Sequence, residues 1–241
     1  MSALPEIDAI SLRVTPYGEA DLIVTFLGAE GGKIAGMARA ARKSRRRFGA
    51  GLDPGNRGVL SYTLRPRSDL ATVEAFSEAR PPELGANPVI GFAAVSVALE
   101  ATDLLSVEDE DSAQRFAALT ELFAAIARGT DGRVALALFL ATALSDAGYA
   151  PSFERCVRCG GEIGQGSRFD AARAGVSCGR CGVEAAVAPV GPELAARIAA
   201  LTPESTDAAA GRVAAEWLGA ALQHATGRGL KSLAFFREIG S

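Results

Sequence analysis

The chain has 241 residues, 49% of them hydrophobic and 22% charged, with 25 Lys and Arg against 28 Asp and Glu for a net charge of −3. A chain of this size makes one large or two modest domains and buries about 70% of its unfolded surface, which excludes a mostly disordered protein. Taken whole, the acidic balance speaks against a nucleic-acid binder, because phosphate neutralisation by excess basic charge dominates such affinities.

Aromatics make up only 6% while alanine is abundant, so much of the chain is expected to be helical and an all-β fold is disfavoured. Glu6 and Asp8 stand where an export signal would be basic and then apolar, which points to a cytoplasmic protein. The longest apolar run, 134–144, is too short at about 1.5 Å per residue to cross a hydrocarbon layer of about 30 Å. It is expected as a buried core helix.

Dividing the charges by position reverses the first impression. Residues 1–80 hold 12 Lys and Arg against 9 Asp and Glu; residues 81–241 hold 13 against 19. In the first part, short segments rich in Ile, Val, Leu, Thr and Phe, at 9–14, 22–27, 33–38, 58–65 and 71–76, are separated by Gly or Pro. Ile10, Leu12 and Val14 alternate with polar neighbours, and Val59, Ser61 and Thr63 alternate with Leu60, Tyr62 and Leu64. Each strand so patterned offers one face to a core. Five short strands in this length suit an OB-type barrel.

Pro81-Pro82 and the following Gly85-Ala-Asn-Pro88 mark a change of regime. Apolar residues then recur three or four apart over 90–105, 112–128 and 132–147, and helices resume at 192–201 and 207–226. Ser112 is placed as an N-cap, and Gly129 and Gly148 as helix stops. The expected architecture is α+β and multi-domain: an OB barrel over 1–80, an all-helical domain over 81–241, and an inserted four-cysteine module at 152–188.

All four cysteines lie in that insert, as Cys156-Val-Arg-Cys159 and, eighteen residues on, Cys178-Gly-Arg-Cys181. Two matched Cys-x2-Cys pairs, each followed by a glycine that allows a knuckle turn, supply four thiolates for one tetrahedral Zn2+. Disulfides suit a chain without an export signal poorly, and a redox motif needs one such pair, not two. A closed tetrathiolate leaves no open position for water, so the zinc is expected to be structural.

No acidic residue lies between Gly31 and Gly51, and Arg39, Arg42, Lys43, Arg45, Arg46 and Arg47 crowd six cations into nine positions. Nothing local neutralises this run. It follows the third strand of the expected barrel, a fold that binds single strands with cations on phosphates and aromatics under bases. The run with Lys33 is therefore the expected DNA-binding site, with Phe48 and Tyr62 as stacking candidates that could equally be barrel core. Six such contacts would give log affinity a slope of about −4 against log salt.

Several of these stretches resemble a known family. Tyr17-Gly-Glu-Ala-Asp21-Leu-Ile-Val24, Gly32-Lys-Ile-Ala-Gly36, Ala41-Arg-Lys-Ser-Arg45-Arg-Arg-Phe48 and Leu52-Asp-Pro54 are similar to the N-terminal barrel of the bacterial RecO DNA repair family. Gly148-Tyr-Ala-Pro151 running into Cys156 and Cys159, and Gly227-Arg-Gly-Leu-Lys231-Ser232, resemble later signatures of the same family in the same order. The resemblance implies a nucleoid-associated recombination mediator with an OB domain and a helical domain bearing a zinc module. It further implies binding of single- and double-stranded DNA, annealing of complementary strands, and action with RecR that lets RecA replace single-strand-binding protein. The family also docks the acidic, apolar tail of that protein on its helical domain.

Catalysis has no visible residues behind it. Gly28 to Lys33 fails the phosphate-loop spacing, with Ile34 where magnesium needs Ser or Thr, and is read as a turn. Glu108 to Asp111 lacks the pattern of a calcium loop and is read as a solvated connection. His224, the sole histidine, falls late in a helix. Arg228 and Lys231 either add a second basic patch or cap helix ends. The rival reading is a zinc-ribbon regulator or scaffold whose basic loop binds RNA or an acidic protein.

Overall fold

The computed structural model describes residues 5–48, 51–64, 68, 70–107 and 112–239. Alternation of apolar and polar residues produces five N-terminal strands: β1 (Glu6–Tyr17), β2 (Asp21–Gly28), β3 (Lys33–Ala38), β4 (Arg57–Thr63) and β5 (Ala71–Arg80). They close into a barrel of order β1-β2-β3-β5-β4, with β4 paired back to β1. Only the β3–β5 pairing is parallel. This is the OB topology that the strand count predicts.

β1 runs three residues beyond its expected span at each end because it serves two neighbours, pairing β4 over 6–10 and β2 over 9–17. A register shift between Ser11 and Arg13 marks a bulge in its pairing with β2. Ser11 is buried there, and its hydroxyl donates to the Leu52 carbonyl at 2.8 Å. Val24, Phe26, Leu60, Val73 and Phe76 fill the interior, with the Phe26 and Phe76 rings 5.2 Å apart. After β3 come a 3-10 turn at Ala41–Lys43 and a four-residue helix, α1 (Arg45–Phe48).

The chain divides into two compact units, Met1–Pro82 with Leu105–Thr120, and Glu83–Leu104 with Glu121–Ser241. In the first, the Lys33 N–H donates to the Val107 carbonyl and Arg57 lies 5.2 Å over the Phe116 ring. Ser112 stands at the predicted cap position, its carbonyl accepting the Phe116 N–H. Its hydroxyl is used elsewhere, donating to the Gly28 carbonyl at 2.6 Å and accepting from the Gly32 N–H at 3.2 Å. The stretch from Gly28 to Lys33 is the expected turn, closed by Gly28 N–H on the Gly32 carbonyl.

The helices are α2 (Pro88–Leu105), α3 (Ala113–Ala127), α4 (Gly132–Asp146), α5 (Pro192–Ala199), α6 (Ala208–Thr226) and α7 (Ser232–Ile239). Gly129 and Gly148 follow α3 and α4 at positive φ. α4 is buried along its length, as the 134–144 run predicts, and packs on α6. Gly211 permits the close crossing, since a Cβ there would lie 2.8 Å from the Val134 nitrogen. Among the described residues only α2 is long and apolar enough to cross a membrane, and 56% of that window is buried in the protein. α7, short but with Leu233 and Phe236 buried three residues apart, is not among the expected helices; its start is capped from a distance, Glu100 of α2 accepting the Lys231 and Ser232 N–H groups at 2.9 and 2.8 Å. That contact gives the Gly227–Ser232 stretch a structural reason. The acidic run 108–111 lies outside the described residues.

Candidate metal centre and basic barrel loop

Between α4 and α5 the chain forms a small sheet of β6 (Arg168–Asp170), β7 (Gly175–Ser177) and β8 (Ala186–Pro189), ordered β7-β6-β8. Cys156 and Cys159 precede it, and Cys178 follows β7 directly. Each pair is a tight knuckle: Gly160 N–H donates to the Cys156 carbonyl at 2.8 Å and Cys181 N–H to the Cys178 carbonyl at 3.1 Å. Gly160 and Gly182 leave these knuckles at φ 69° and 64°, the positive values the sequence anticipates.

All four sulfurs lie within 4.8 Å of one another, and Cys159 and Cys178 are 3.8 Å apart. A tetrahedron with zinc–sulfur bonds of about 2.3 Å has edges of about 3.8 Å, so the donor set fits a metal ion. Burial pushes the Cys156 thiol up, but N–H groups of Cys178, Cys159 and Arg158 outweigh it and bring the thiol down to about 6. The Arg180 N–H lowers Cys178. Cys181 is pushed up to about 12 by its hydrogen bonds to the sulfurs of Cys159 and Cys178. The knuckle N–H groups that lower Cys156 and Cys178 are donors that favour a thiolate over a thiol, the form a metal ion binds.

Two further features hold the knuckles. Asp170, wholly buried, accepts from Arg158 Nη2 at 3.2 Å, Ala172 N–H at 3.2 Å, Glu184 N–H at 3.2 Å and Ala185 N–H at 3.1 Å. Burial raises its carboxyl, but these donors hold it below the usual carboxylate range. One side chain therefore ties the first knuckle to the segment after the second. Phe153 and Phe169 stack on Trp217 of α6 at centroid distances of 6.5 and 5.3 Å, docking the module on the helices. The sequence carries no signal for either feature, because their members lie far apart and form no motif.

The basic run sits at one end of the barrel. Arg39, Arg42 and Lys43 are exposed around the 3-10 turn. That turn is anchored to the β1–β2 hairpin, with Ala40 N–H donating to Asp21 Oδ1 at 2.7 Å and Arg42 N–H to the Ala20 carbonyl at 3.2 Å. Lys33 opens β3 and is half-buried. Arg47 folds back: its Nε donates to Ser44 Oγ at 3.2 Å and its guanidinium lies 4.9 Å over the Phe48 ring. Phe48 is 2% exposed in the barrel core, and Tyr62 packs half-buried against the same core. The side chains of Arg45 and Arg46 lie outside the described residues. At the same barrel end Tyr17, the last residue of β1, is 53% exposed. An aromatic beside the hairpin Gly18 was the available signal for it. His224 is exposed in the last turn of α6.

Comparison with known proteins places this geometry. Residues 1–80 match the family model described as Recombination protein O N terminal, and residues 90–234 match Recombination protein O C terminal. The DNA repair protein RecO of Anaeromyxobacter dehalogenans (strain 2CP-C) is 36% identical over 252 residues, covering 98% of this chain and 96% of that one. RecO of Myxococcus xanthus is 32% identical over 263 residues, covering 97% of each chain. RecO of Streptomyces griseus is 32% identical over 246 residues, covering 96% of this chain and 98% of its own. An OB barrel followed by helices with a four-cysteine centre, matched by both family models and by relatives along nearly the whole length, makes this chain a member of the RecO family of DNA repair and recombination proteins.

Proposed function

We propose that this chain is a non-enzymatic recombination mediator that binds single- and double-stranded DNA at the loop end of its barrel and anneals complementary strands. It acts with RecR to let RecA replace single-strand-binding protein, in the cytoplasm at the nucleoid and with no membrane partner. The observation that carries the reading is the barrel end itself. Arg39, Arg42 and Lys43 are exposed there, form no ion pair among the described residues, and share that end with the exposed ring of Tyr17. Cations on phosphates and an aromatic under a base are what single-strand binding by an OB barrel requires. Lys33, Arg45, Arg46 and Arg47 complete the phosphate contacts, and Phe48 holds the loop from beneath. Neutralising phosphates of two strands at once lowers their mutual repulsion, which is the physical basis of annealing.

Cys156, Cys159, Cys178 and Cys181 hold one structural Zn2+. Its binding contributes about 10–16 kcal/mol at neutral pH, enough to order a module over 152–188 within a helical domain over 81–241 that follows a DNA-binding domain over 1–80 and lends residues 105–120 to the barrel's compact unit. Annealing of complementary fluorescent oligonucleotides, bare and then coated with single-strand-binding protein, tests the reading. Acceleration that falls when the loop cations are replaced by alanine supports it. A folded, metal-loaded protein that leaves annealing at the uncatalysed rate overturns it.

A further inference from the structure

We infer that Arg155 and Arg180 are counter-charges of the four-cysteine centre, positioning residues that set its affinity for the metal; the inference rests on the zinc reading above. A divalent cation held by four thiolates carries two net negative charges, and positive groups nearby lower the free energy of holding that charge. Cys159 is exposed, so part of that charge faces the rim of the module.

The two knuckles carry arginine at the same place, Arg158 before Cys159 and Arg180 before Cys181. Their side chains part ways. Arg158 is engaged by Asp170 and Glu184, at 3.2 and 3.6 Å. Arg180 instead crosses to the other knuckle. A Cβ built on Gly161 would lie 3.3 Å from Cys159 Sγ and 3.6 Å from Arg180 Nη2, so guanidinium and sulfur are within about 7 Å. Arg155 reaches the same loop, its Nη1 donating to the Gly160 carbonyl at 3.3 Å. Neither Arg155 nor Arg180 forms an ion pair among the described residues. The two guanidinium groups, neither of them ion-paired among the described residues, thus converge on adjacent glycines in the loop that follows Cys159.

A phosphate ligand is the competing use of such a pair. The charge count decides against it: residues 152–188 hold five Arg and four Asp or Glu, so the dianionic centre leaves the loaded module net negative. The two arginines balance the centre and leave no surplus to draw a polyanion.

The test compares wild type with Arg155→Gln, Arg180→Gln, the double variant and Arg180→Lys. Zinc content by elemental analysis comes first, then competition with a chromophoric chelator from low to high salt, with Trp217 emission reporting the fold. Arg180→Gln is expected to lose about three- to tenfold in zinc affinity at low salt, from Coulomb's law at this distance in a water-like dielectric, and Arg155→Gln is expected to lose affinity in the same direction. The loss should shrink at high salt and lysine should recover most of it. Unaltered competition curves in zinc-loaded variants overturn the counter-charge role alone. So does a loss that is independent of salt and not recovered by lysine, or weakened DNA binding with unchanged zinc affinity, which assigns the pair to phosphate. Wild type without metal overturns the zinc reading and this inference together.

Discussion

Replacing Asp170 by alanine removes the acceptor that joins the two knuckles. Three backbone N–H groups, of Ala172, Glu184 and Ala185, and the Arg158 guanidinium lose their partner in a site with no solvent access. The Arg158 side chain is 27% exposed and recovers water, so the backbone donors dominate the cost. At about 1 kcal/mol for each, the module loses about 3 kcal/mol. On the zinc reading proposed above, metal and carboxylate would order the same segment, so the loss would appear as zinc affinity about a hundredfold weaker, at about 1.4 kcal/mol per factor of ten. Asp170→Asn is expected to fare little better. Oδ2 accepts from both Arg158 and Glu184 while Oδ1 accepts from Ala172 and Ala185, so an amide nitrogen faces two donors whichever way it is turned. Chelator competition read by metal release, with Trp217 emission following module docking, measures both variants. Zinc affinity within threefold of wild type in Asp170→Ala would refute the claim that this carboxylate braces the centre.

The barrel end makes a separable prediction. Alanine at Arg39, Arg42 and Lys43 together should reduce the salt slope of single-strand binding by about 2, at about 0.7 per phosphate contact. Tyr17→Ala should cost about 1–3 kcal/mol of binding with little change in melting temperature, since the ring is half exposed; an equal loss of stability would mark it as a packing residue. Phe48→Ala should behave oppositely, lowering barrel stability in urea by about 3–5 kcal/mol as expected for a buried phenylalanine, and unchanged stability would return Phe48 to the surface. Asp207 caps α6 and takes a bidentate bond from Arg197 at 2.7 Å, which lowers its carboxyl to about 2. The folded state therefore binds fewer protons than the unfolded state in this range. The stability so gained is present above about pH 4 and lost as pH falls towards 2. Urea unfolding of wild type and Asp207→Ala should differ by about 1 kcal/mol at neutral pH and converge on acidification; a constant difference would show that the carboxylate's charge does not matter.

The strands and the cysteine pairs were the most legible parts of this chain, for a common reason: their information is local. β3 alternates buried and half-buried residues without interruption, and each pair of cysteines is separated by two residues and followed by the glycine its turn requires. β6 and β7, at three residues each, are too short for any period to register. Ser112 showed the limit of local signals. Its place before α3 was readable, but the use of its hydroxyl by Gly28 and Gly32, about eighty residues away, was not.

By itself the sequence determined a barrel followed by helices, a four-thiol cluster, and a concentration of positive charge in one loop against an acidic remainder. Tertiary structure decided which of those groups face outward. Closing the barrel buried Phe48 and left Tyr17 at the surface, although both are aromatics beside glycine-containing turns. The same physics governs Asp170: a carboxylate within the four-cysteine module would be expected at the surface, and it becomes a buried brace because donors from three segments converge on it. Burial and hydrogen-bond satisfaction depend on groups brought together from distant positions, and no window along the chain contains them.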